Sequence, residues 1–132
     1  MSLTVVLASV VTLHALPAVG KDLVAVQTFS GTMSASVAPL LQSSVTTTAD
    51  LARVWATCNI KGTPPAIDFK RRMVLLAVRQ SSKVSFMRMT LDKGDLKTNI
   101  AVAPDMPAHR TCTLVVVDTA GVRTVNGAPL GK

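Results

Sequence analysis

The chain has 132 residues, of which 48% are hydrophobic and only 16% are charged. This composition excludes a disordered chain, and the length predicts a single domain that buries its own core without metals or many disulfides. The formal net charge is +7 at pH 7. All of the excess lies in residues 70–132, which hold eleven basic and four acidic residues, whereas charges in the first 69 residues balance.

A basic half of this kind is either an ordinary solvated surface of a basic protein or a surface that attracts an acidic protein, an anionic polymer or nucleic acid. Nucleic acid is the weakest of these candidates because bases stack on exposed aromatic rings, and the chain has one Trp, three Phe and no Tyr. The composition therefore predicts a partner other than nucleic acid.

The first 20 residues, MSLTVVLASVVTLHALPAVG, contain no Lys, Arg, Asp or Glu. An apolar core followed by the small residues Ala18-Val19-Gly20 predicts a signal peptide, which leaves residues 21–132 as one domain outside the cytoplasm, periplasmic or secreted. Because no basic residue precedes the apolar core, an ordered strand or helix remains the alternative. The run is too short and interrupted for a transmembrane helix, so the mature chain is predicted to have no membrane span.

The segment from residue 22 to residue 30, DLVAVQTFS, alternates in the manner of a strand and predicts the first strand of the fold. Gly31–Ser36 is predicted to be a turn or loop. A short strand is predicted at Leu40–Val45, leading directly into the start of a helix.

The helix is predicted from four residues spaced at i, i+3, i+4 and i+7, which share one apolar face: Leu51, Val54, Trp55 and Cys58. Thr47 stands three residues before Asp50, which is the spacing of a capping box, and Asp50 lies where the helix dipole favours negative charge. Gly62 and then Pro64-Pro65 are predicted to end the helix, because proline has no amide hydrogen and restricts the residue before it.

After the prolines the sequence predicts a series of strands joined by turns. The run Met73–Val78 is apolar on both faces, as a central buried strand would be. Ser81-Ser82 predicts a hairpin turn into a return strand at Val84–Leu91, in which Met87 and Met89 fall on one side. That side is expected to face the core and pack against the helix, with an exposed, adaptable binding surface as the alternative. Further strands are predicted at Leu96–Val102, Thr111–Asp118 and Val122–Val125, with turns at Asp92–Asp95, Ala120-Gly121 and Asn126-Gly127. The predicted fold class is α+β, a mostly antiparallel sheet with one short amphipathic helix packed on it.

A set of residues in this helix–turn–strand region resembles a known family. A tryptophan on a short helix, a Pro-rich turn, an Ile-Asp-Phe triplet and a Met-Val strand are similar to the C-terminal domain of the protease-complex-associated protein family (PrcB-type). The matching residues are Trp55, Pro64, Pro65, Ile67, Asp68, Phe69, Met73 and Val74. Where the family continues with a Gly-Gly-Tyr-like hairpin, this chain has residues 79–86, RQSSKVSF.

The resemblance covers about residues 45–117 and implies a protein–protein interaction domain. It implies a protease as the partner, which the domain would stabilise or restrain. It also implies that five residues anchor the structure: Trp55, Pro64, Pro65, Asp68 and Phe69.

Two cysteines, Cys58 and Cys112, are the whole cysteine content of the chain. In an exported protein an isolated pair predicts a disulfide, whereas in a cytosolic protein both would be small buried residues. Export being the favoured interpretation, we expect the bond between Cys58 and Cys112.

The sequence predicts no catalytic residues, no metal site and no cofactor. Only His109 and Cys112 lie near each other among possible metal ligands or nucleophiles, and such a pair needs further groups to act. Asp68 is expected to cap its turn or to pair with Arg71 or Arg72.

The predicted function is non-enzymatic protein binding, with a protease-associated role as the implied form. The predicted partner contacts are basic residues that enter and follow the central strand: Lys70, Arg71, Arg72, Arg79, Lys83 and Arg88. The alternative is a basic domain that binds an anionic polymer of the cell envelope.

Overall fold

The computed structural model describes residues 20–34 and 42–131, so the predicted signal peptide lies outside the described residues apart from Gly20. Within these ranges the chain forms nine strands and one helix. They are β1 Lys21–Asp22, β2 Gln27–Ser34, β3 Ser44–Val45, α1 Thr48–Thr57, β4 Arg72–Arg79, β5 Val84–Asp92, β6 Asp95–Val102, β7 His109–Asp118, β8 Thr124–Val125 and β9 Ala128–Pro129.

The strands form two sheets rather than one. The first sheet has four strands in the order β2-β7-β4-β3, and the second has five in the order β1-β5-β6-β8-β9. Every pairing is antiparallel except that of β6 with β8. The predicted α+β class, mostly antiparallel with one short helix packed on a sheet, is confirmed, and the second sheet is an addition to it.

The four-stranded sheet lies between the helix and the five-stranded sheet. Side chains on opposite faces of a strand alternate, so Val74 and Leu76 of β4 join a helix-side core with Trp55, whereas Met73 and Leu75 join an inter-sheet core. This arrangement explains why β4 reads as apolar on both faces. The predicted central strand is confirmed, with β7 on one side of β4 and β3 on the other.

The helix begins and ends through local capping. The Oγ1 atom of Thr47 accepts a hydrogen bond from the Asp50 amide at 3.1 Å, as the capping pattern predicts, and the Asp50 carboxylate contacts Arg53 at 3.5 Å. The helix ends at Thr57, with Cys58 as the C-cap. Asn59, with φ of 52°, turns the chain away in the left-handed conformation. The prediction that Gly62 and the prolines end the helix is therefore wrong.

The predicted first strand is split between the two sheets. Lys21–Asp22 pairs with β5, and Gln27–Ser34 pairs with β7. Between them Leu23 and Ala25 pack into the inter-sheet core while the chain passes from one sheet to the other. The predicted turn at Gly31–Ser36 is wrong for residues 31–34, which continue β2.

Ser81-Ser82 does not form the predicted hairpin, because β4 and β5 belong to different sheets. The buried Ser81 hydroxyl lies within hydrogen-bonding distance of two carbonyl groups, those of Lys83 at 3.0 Å and Ala103 at 2.9 Å, between which its one hydrogen is shared. The Asp105 carboxylate accepts from the Ser82 amide at 3.0 Å. These bonds hold the crossover in a bent form that its local sequence does not reveal.

A β-bulge explains why Met87 is not in the core. The register of β5 against β6 shifts between Phe86 and Arg88, and the extra residue, Met87, is 73% exposed. Met89 is buried in the inter-sheet core, and Phe86 packs against the same core. Strict alternation predicted Met87 and Met89 on the same core-facing side, and this prediction is wrong for Met87.

Candidate binding cleft

A cleft of about 600 Å³ lies at the end of the four-stranded sheet where β4 begins and β7 ends. We call it the basic cleft. Its lining comes from the loop before β4, from the end of β7 and the turn after it, and from β2: Ala66, Ile67, Asp68, Lys70, Arg71, Arg72, Val116, Asp118, Thr119, Ala120 and Gln27.

The loop that carries the basic residues is held by Asp68. Its Oδ1 atom accepts from the Lys70 amide at 3.1 Å, and its carbonyl accepts from the amides of Arg71 and Arg72 at 3.0 Å and 2.9 Å. The Thr119 amide in turn donates to the Arg71 carbonyl at 2.9 Å. Asp68 thus caps its own turn, one of the two roles expected for it, and it fixes the backbone from which the three basic side chains project.

The charges of the basic cleft are only partly balanced. Arg72 Nε lies 3.4 Å from Asp118 Oδ1. The ion pairs found in the described part of the chain do not involve Lys70 or Arg71. Both side chains are exposed at the cleft, so their charges are available to an anionic group.

The other three predicted contact residues lie elsewhere. Arg79 ends β4, about 23 Å along the strand from Arg72 at ~3.3 Å per residue. Lys83 lines a second cavity, of about 320 Å³, between the two sheets. Arg88 pairs with Asp22 through Nε and Oδ1 at 3.2 Å on an exposed surface. The structure therefore brings together Lys70, Arg71 and Arg72 and separates the rest.

The five anchor residues differ in their surroundings. Trp55 is 6% exposed, its Nε1 donates to the Gly62 carbonyl at 3.0 Å, and its ring meets Phe29 edge-on with centroids 5.0 Å apart. Phe69 packs partly buried against the same core. Pro64 is exposed and Pro65 is half-buried.

Cys58 and Cys112 lie side by side in the helix-side core, both fully buried. They are free thiols in the structure rather than the predicted disulfide. Their side chains are hydrogen-bonded to each other, and this bond together with burial raises the pKa of the Cys58 thiol. The disulfide between them stays a prediction.

His109 and Cys112 do not form a nucleophile pair. They are three residues apart on one strand, so their side chains point to opposite faces of the sheet. Within residues 20–34 and 42–131, no group of three or more His, Cys, Asp or Glu side chains is arranged to hold a metal ion.

Sequence reasoning found the basic wall of the cleft but missed its other wall. Asp118, Thr119 and Gln27 come from β7, the turn after it and β2, and no local motif marks them. They meet the Lys70–Arg72 segment because β7 pairs with both β4 and β2.

A scan against models of protein families found no match to this chain, and searches of curated proteins and of solved structures found none. No helix in the described part of the chain is long and apolar enough to cross a membrane.

Proposed function

We propose that this domain is a non-enzymatic interaction module that binds a partner protein outside the cytoplasm. The observation that carries the proposal is the basic cleft, where Lys70 and Arg71 are exposed beside the half-buried side chain of Ile67. A concave surface that combines charged and apolar side chains is suited to binding. An acidic segment of a partner, with an apolar residue beside the carboxylate, complements this lining.

The resemblance to the PrcB-type domain implies the class of partner. The proposed partner is a protease that the domain stabilises or restrains. The supporting pattern is that of residues 45–117, and the part of it nearest the cleft is Ile67-Asp68-Phe69, which leads directly into the basic segment. The extracytoplasmic location is supported by the apolar first 20 residues.

A second candidate is binding of an anionic envelope polymer, which the net charge of +7 favours. Tight polyanion binding requires many cations along one face, since each neutralised phosphate or sulfate releases a counterion. Here Arg79, Lys83 and Arg88 lie away from the basic cleft, and Arg88 is paired with Asp22. This dispersion is the reason for ranking the protein partner first.

The test is affinity capture from an extracytoplasmic extract of the source organism with three immobilised proteins. They are the wild-type chain, a cleft variant with Lys70→Glu and Arg71→Glu, and a control variant with Arg79→Glu and Lys83→Glu. Both variants change the net charge by the same amount, but only the first changes the basic cleft. The captured protein is then purified and its affinity for each of the three is measured by calorimetry.

We expect one stoichiometric protein partner that the wild type and the control bind alike, and that the cleft variant binds at least about tenfold more weakly, which corresponds to ~1.4 kcal/mol. Equal weakening by both variants, with recovery of heterogeneous polyanions that moderate salt removes, would contradict the proposal and support the polymer-binding candidate.

A further inference from the structure

The edge strands of the two sheets differ in length, and the length of an edge strand affects whether it can pair with another chain. Within residues 20–34 and 42–131 the two sheets have four edges, and three of them are formed by β1, β3 and β9, each two residues long. The fourth edge is β2, which has eight residues and pairs with β7 in unbroken register from Gln27 to Ser34. Long, regular edges expose unpaired backbone groups that can pair with another strand.

The pairing pattern shows which residues of β2 direct their backbone groups outward. At one end of the β4–β7 pair the Thr119 amide donates to the Arg71 carbonyl. Backbone groups of successive residues point to opposite sides of a strand, so the odd-numbered residues of β7 bond to β4 and its even-numbered residues bond to β2. The even-numbered residues of β7 lie opposite odd-numbered residues of β2, such as Phe29 opposite Leu114. Backbone groups of the even-numbered Thr28, Ser30 and Thr32 therefore point away from the sheet.

A side-chain contact supports this direction independently. Asn59 Nδ2 donates to the Thr32 carbonyl at 2.8 Å from outside the sheet. Thr28, Ser30 and Thr32 are all exposed. The Asn59 side chain therefore covers the Thr32 end of this edge, and a second strand reaches the Thr32 carbonyl when Asn59 turns aside or shares the carbonyl's other lone pair.

The sequence of β2 carries none of the residues by which proteins usually prevent strand pairing, and the protection seen at this edge is the Asn59 side chain at Thr32. β2 has the sequence QTFSGTMS, with no charged residue and no proline, and its register with β7 contains no bulge. Inward charges, edge lysines, prolines and bulges are the common protections. By contrast, the open part of β5 carries the bulge at Met87.

We propose that β2 pairs with β2 of a second copy of this chain, antiparallel and about a two-fold axis at Ser30. The sequence of the strand is self-complementary in this register: Ser30 faces Ser30, Thr28 faces Thr32, and Phe29 faces Gly31 across the axis. Cross-strand hydroxyl pairs stabilise sheets, and the outward backbone groups of the three facing pairs supply about six hydrogen bonds. Two of these end on the Thr32 carbonyls that Asn59 also contacts. The pairing joins the two four-stranded sheets into one continuous sheet.

Such an interface is small, because edge pairing of one strand buries less than the ~1,600 Å² of a standard interface. Each copy also carries a net charge of +7, and the two copies repel each other. The dimer is therefore concentration-dependent and becomes stronger when salt screens the repulsion. Salt is thus expected to strengthen the dimer, whereas it weakens the binding of an anionic ligand at the basic cleft. The dimer is therefore independent of the proposed function, and either can fail without the other.

The first test measures oligomeric state by sedimentation equilibrium over a wide range of protein concentration, in low and moderate salt. The wild-type chain is expected to dimerise, with a larger dimer fraction at 0.15 M salt, where the Debye length is about 8 Å, than at low salt. Ser30→Lys and Thr28→Lys each put a charge on the edge and are expected to weaken dimerisation at least about tenfold. Ala52→Lys, at an exposed helix position, adds the same charge elsewhere and should leave the dimer unchanged.

The second test uses cross-linking. In the proposed register the Cα atoms of the facing Ser30 residues are about 5.5 Å apart, within the range of a disulfide. Ser30→Cys treated with oxidised glutathione is therefore expected to give covalent dimers, whereas Ala52→Cys is expected to give few. A chain that stays monomeric at all concentrations, or that binds only extended segments of other proteins at β2, overturns the inference. So does a dimer that the β2 variants do not weaken and Ser30→Cys does not cross-link.

Discussion

Trp55 is the residue on which the helix contact depends most. Its ring lies in the helix-side core and is 6% exposed. Trp55→Ala is expected to lower the free energy of unfolding by about 3–5 kcal/mol, as truncation of a buried large aromatic side chain does. Urea unfolding at fixed temperature measures this change. A loss below about 1 kcal/mol would show that the ring contributes little to packing.

Trp55→Phe separates packing from hydrogen bonding at the same position. Phe retains the contact with Phe29 but loses the bond from Nε1 to the Gly62 carbonyl. We expect a smaller loss of about 1–2 kcal/mol, since the carbonyl is left without that donor and some volume is removed.

Gly31 is required by the close approach of the helix end to β2. A Cβ at this position would overlap the Cys58 carbonyl oxygen and lie 2.8 Å from Ile60 Cγ1. Gly31→Ala is therefore expected to destabilise the fold by about 1–3 kcal/mol, because a backbone carbonyl cannot move aside as a flexible side chain can. Ser30→Ala, at the next and exposed position, is the control and should change stability by less than about 0.5 kcal/mol. Equal melting temperatures for both variants would contradict the overlap.

At the scale of elements, the two cysteines connect the end of α1 to the middle of β7. Cys58 is the C-cap of the helix, and Cys112 lies opposite Gly31 and Val78 in its sheet. Oxidation would join elements that are far apart in the sequence. In the chain-entropy account, closing a loop of this length stabilises the fold by about 4 kcal/mol.

We expect the disulfide in protein recovered from an oxidising compartment. Thiol titration of denatured, unreduced protein should find no free cysteine, and reductant should lower the melting temperature. Because both sulfur atoms are buried, titration of the native protein alone does not distinguish a bond from hidden thiols. Two thiols released by denaturation without reductant would contradict the prediction.

At the scale of the whole molecule, three carboxylates tie distant segments together, and each has a lowered pKa. Arg88 and then Thr90 lower the pKa of Asp22. The Thr124 hydroxyl and the Gly127 amide lower the pKa of Asp95, whose contacts hold the C-terminal hairpin against β6. Hydrogen bonds from Ser82 and Ser81 lower the pKa of Asp105.

These shifts predict loss of stability in acid. A carboxylate whose pKa is lower in the folded state stabilises the fold above its unfolded pKa, and this contribution disappears as pH falls through the folded pKa. The free energy of unfolding should therefore decrease between about pH 5 and pH 2. An Asp95→Asn/Asp105→Asn variant should be less stable at pH 7 and should decline less steeply over that interval. The same slope as in the wild type would contradict the assignment.

The distribution of positive charge predicts weak binding to polyanions. The basic residues of β4, β5, β6 and the turns between them lie on different surfaces, and three of them are in ion pairs: Arg72, Arg88 and Lys97. We expect elution from heparin below about 0.5 M salt, where the Debye length is only a few ångströms. Retention beyond that concentration would favour the polymer-binding candidate.

Several features of this protein follow from the sequence alone because they depend on neighbouring residues. The helix face from Leu51 to Cys58 follows from 3.6-residue periodicity, and its start follows from Thr47. The turns at Lys93-Gly94 and Asn126-Gly127 follow from residues that tolerate positive φ. Apolar content on both faces marked β4 as a central strand. These local and periodic signals also sufficed for the α+β class.

The remaining features depend on which strands pair, and pairing is decided by contacts between residues distant in the sequence. The alternation of apolar and polar residues cannot show that the chain passes from one sheet to the other at residues 23–26, or that a bulge turns Met87 outward. Nor can it show that Ser81 lies in a connection between two sheets rather than in a hairpin. The same holds for the basic cleft, whose second wall is supplied by the end of β7. The sequence determined the helix, the buried strand and the Lys70–Arg72 segment, whereas the pairing of β7 with β4 and β2 decided what faces that segment and placed β2 at the edge of the sheet. Strand pairing is a property of the whole folded chain, because its hydrogen bonds and buried side chains are shared between segments that the sequence does not link.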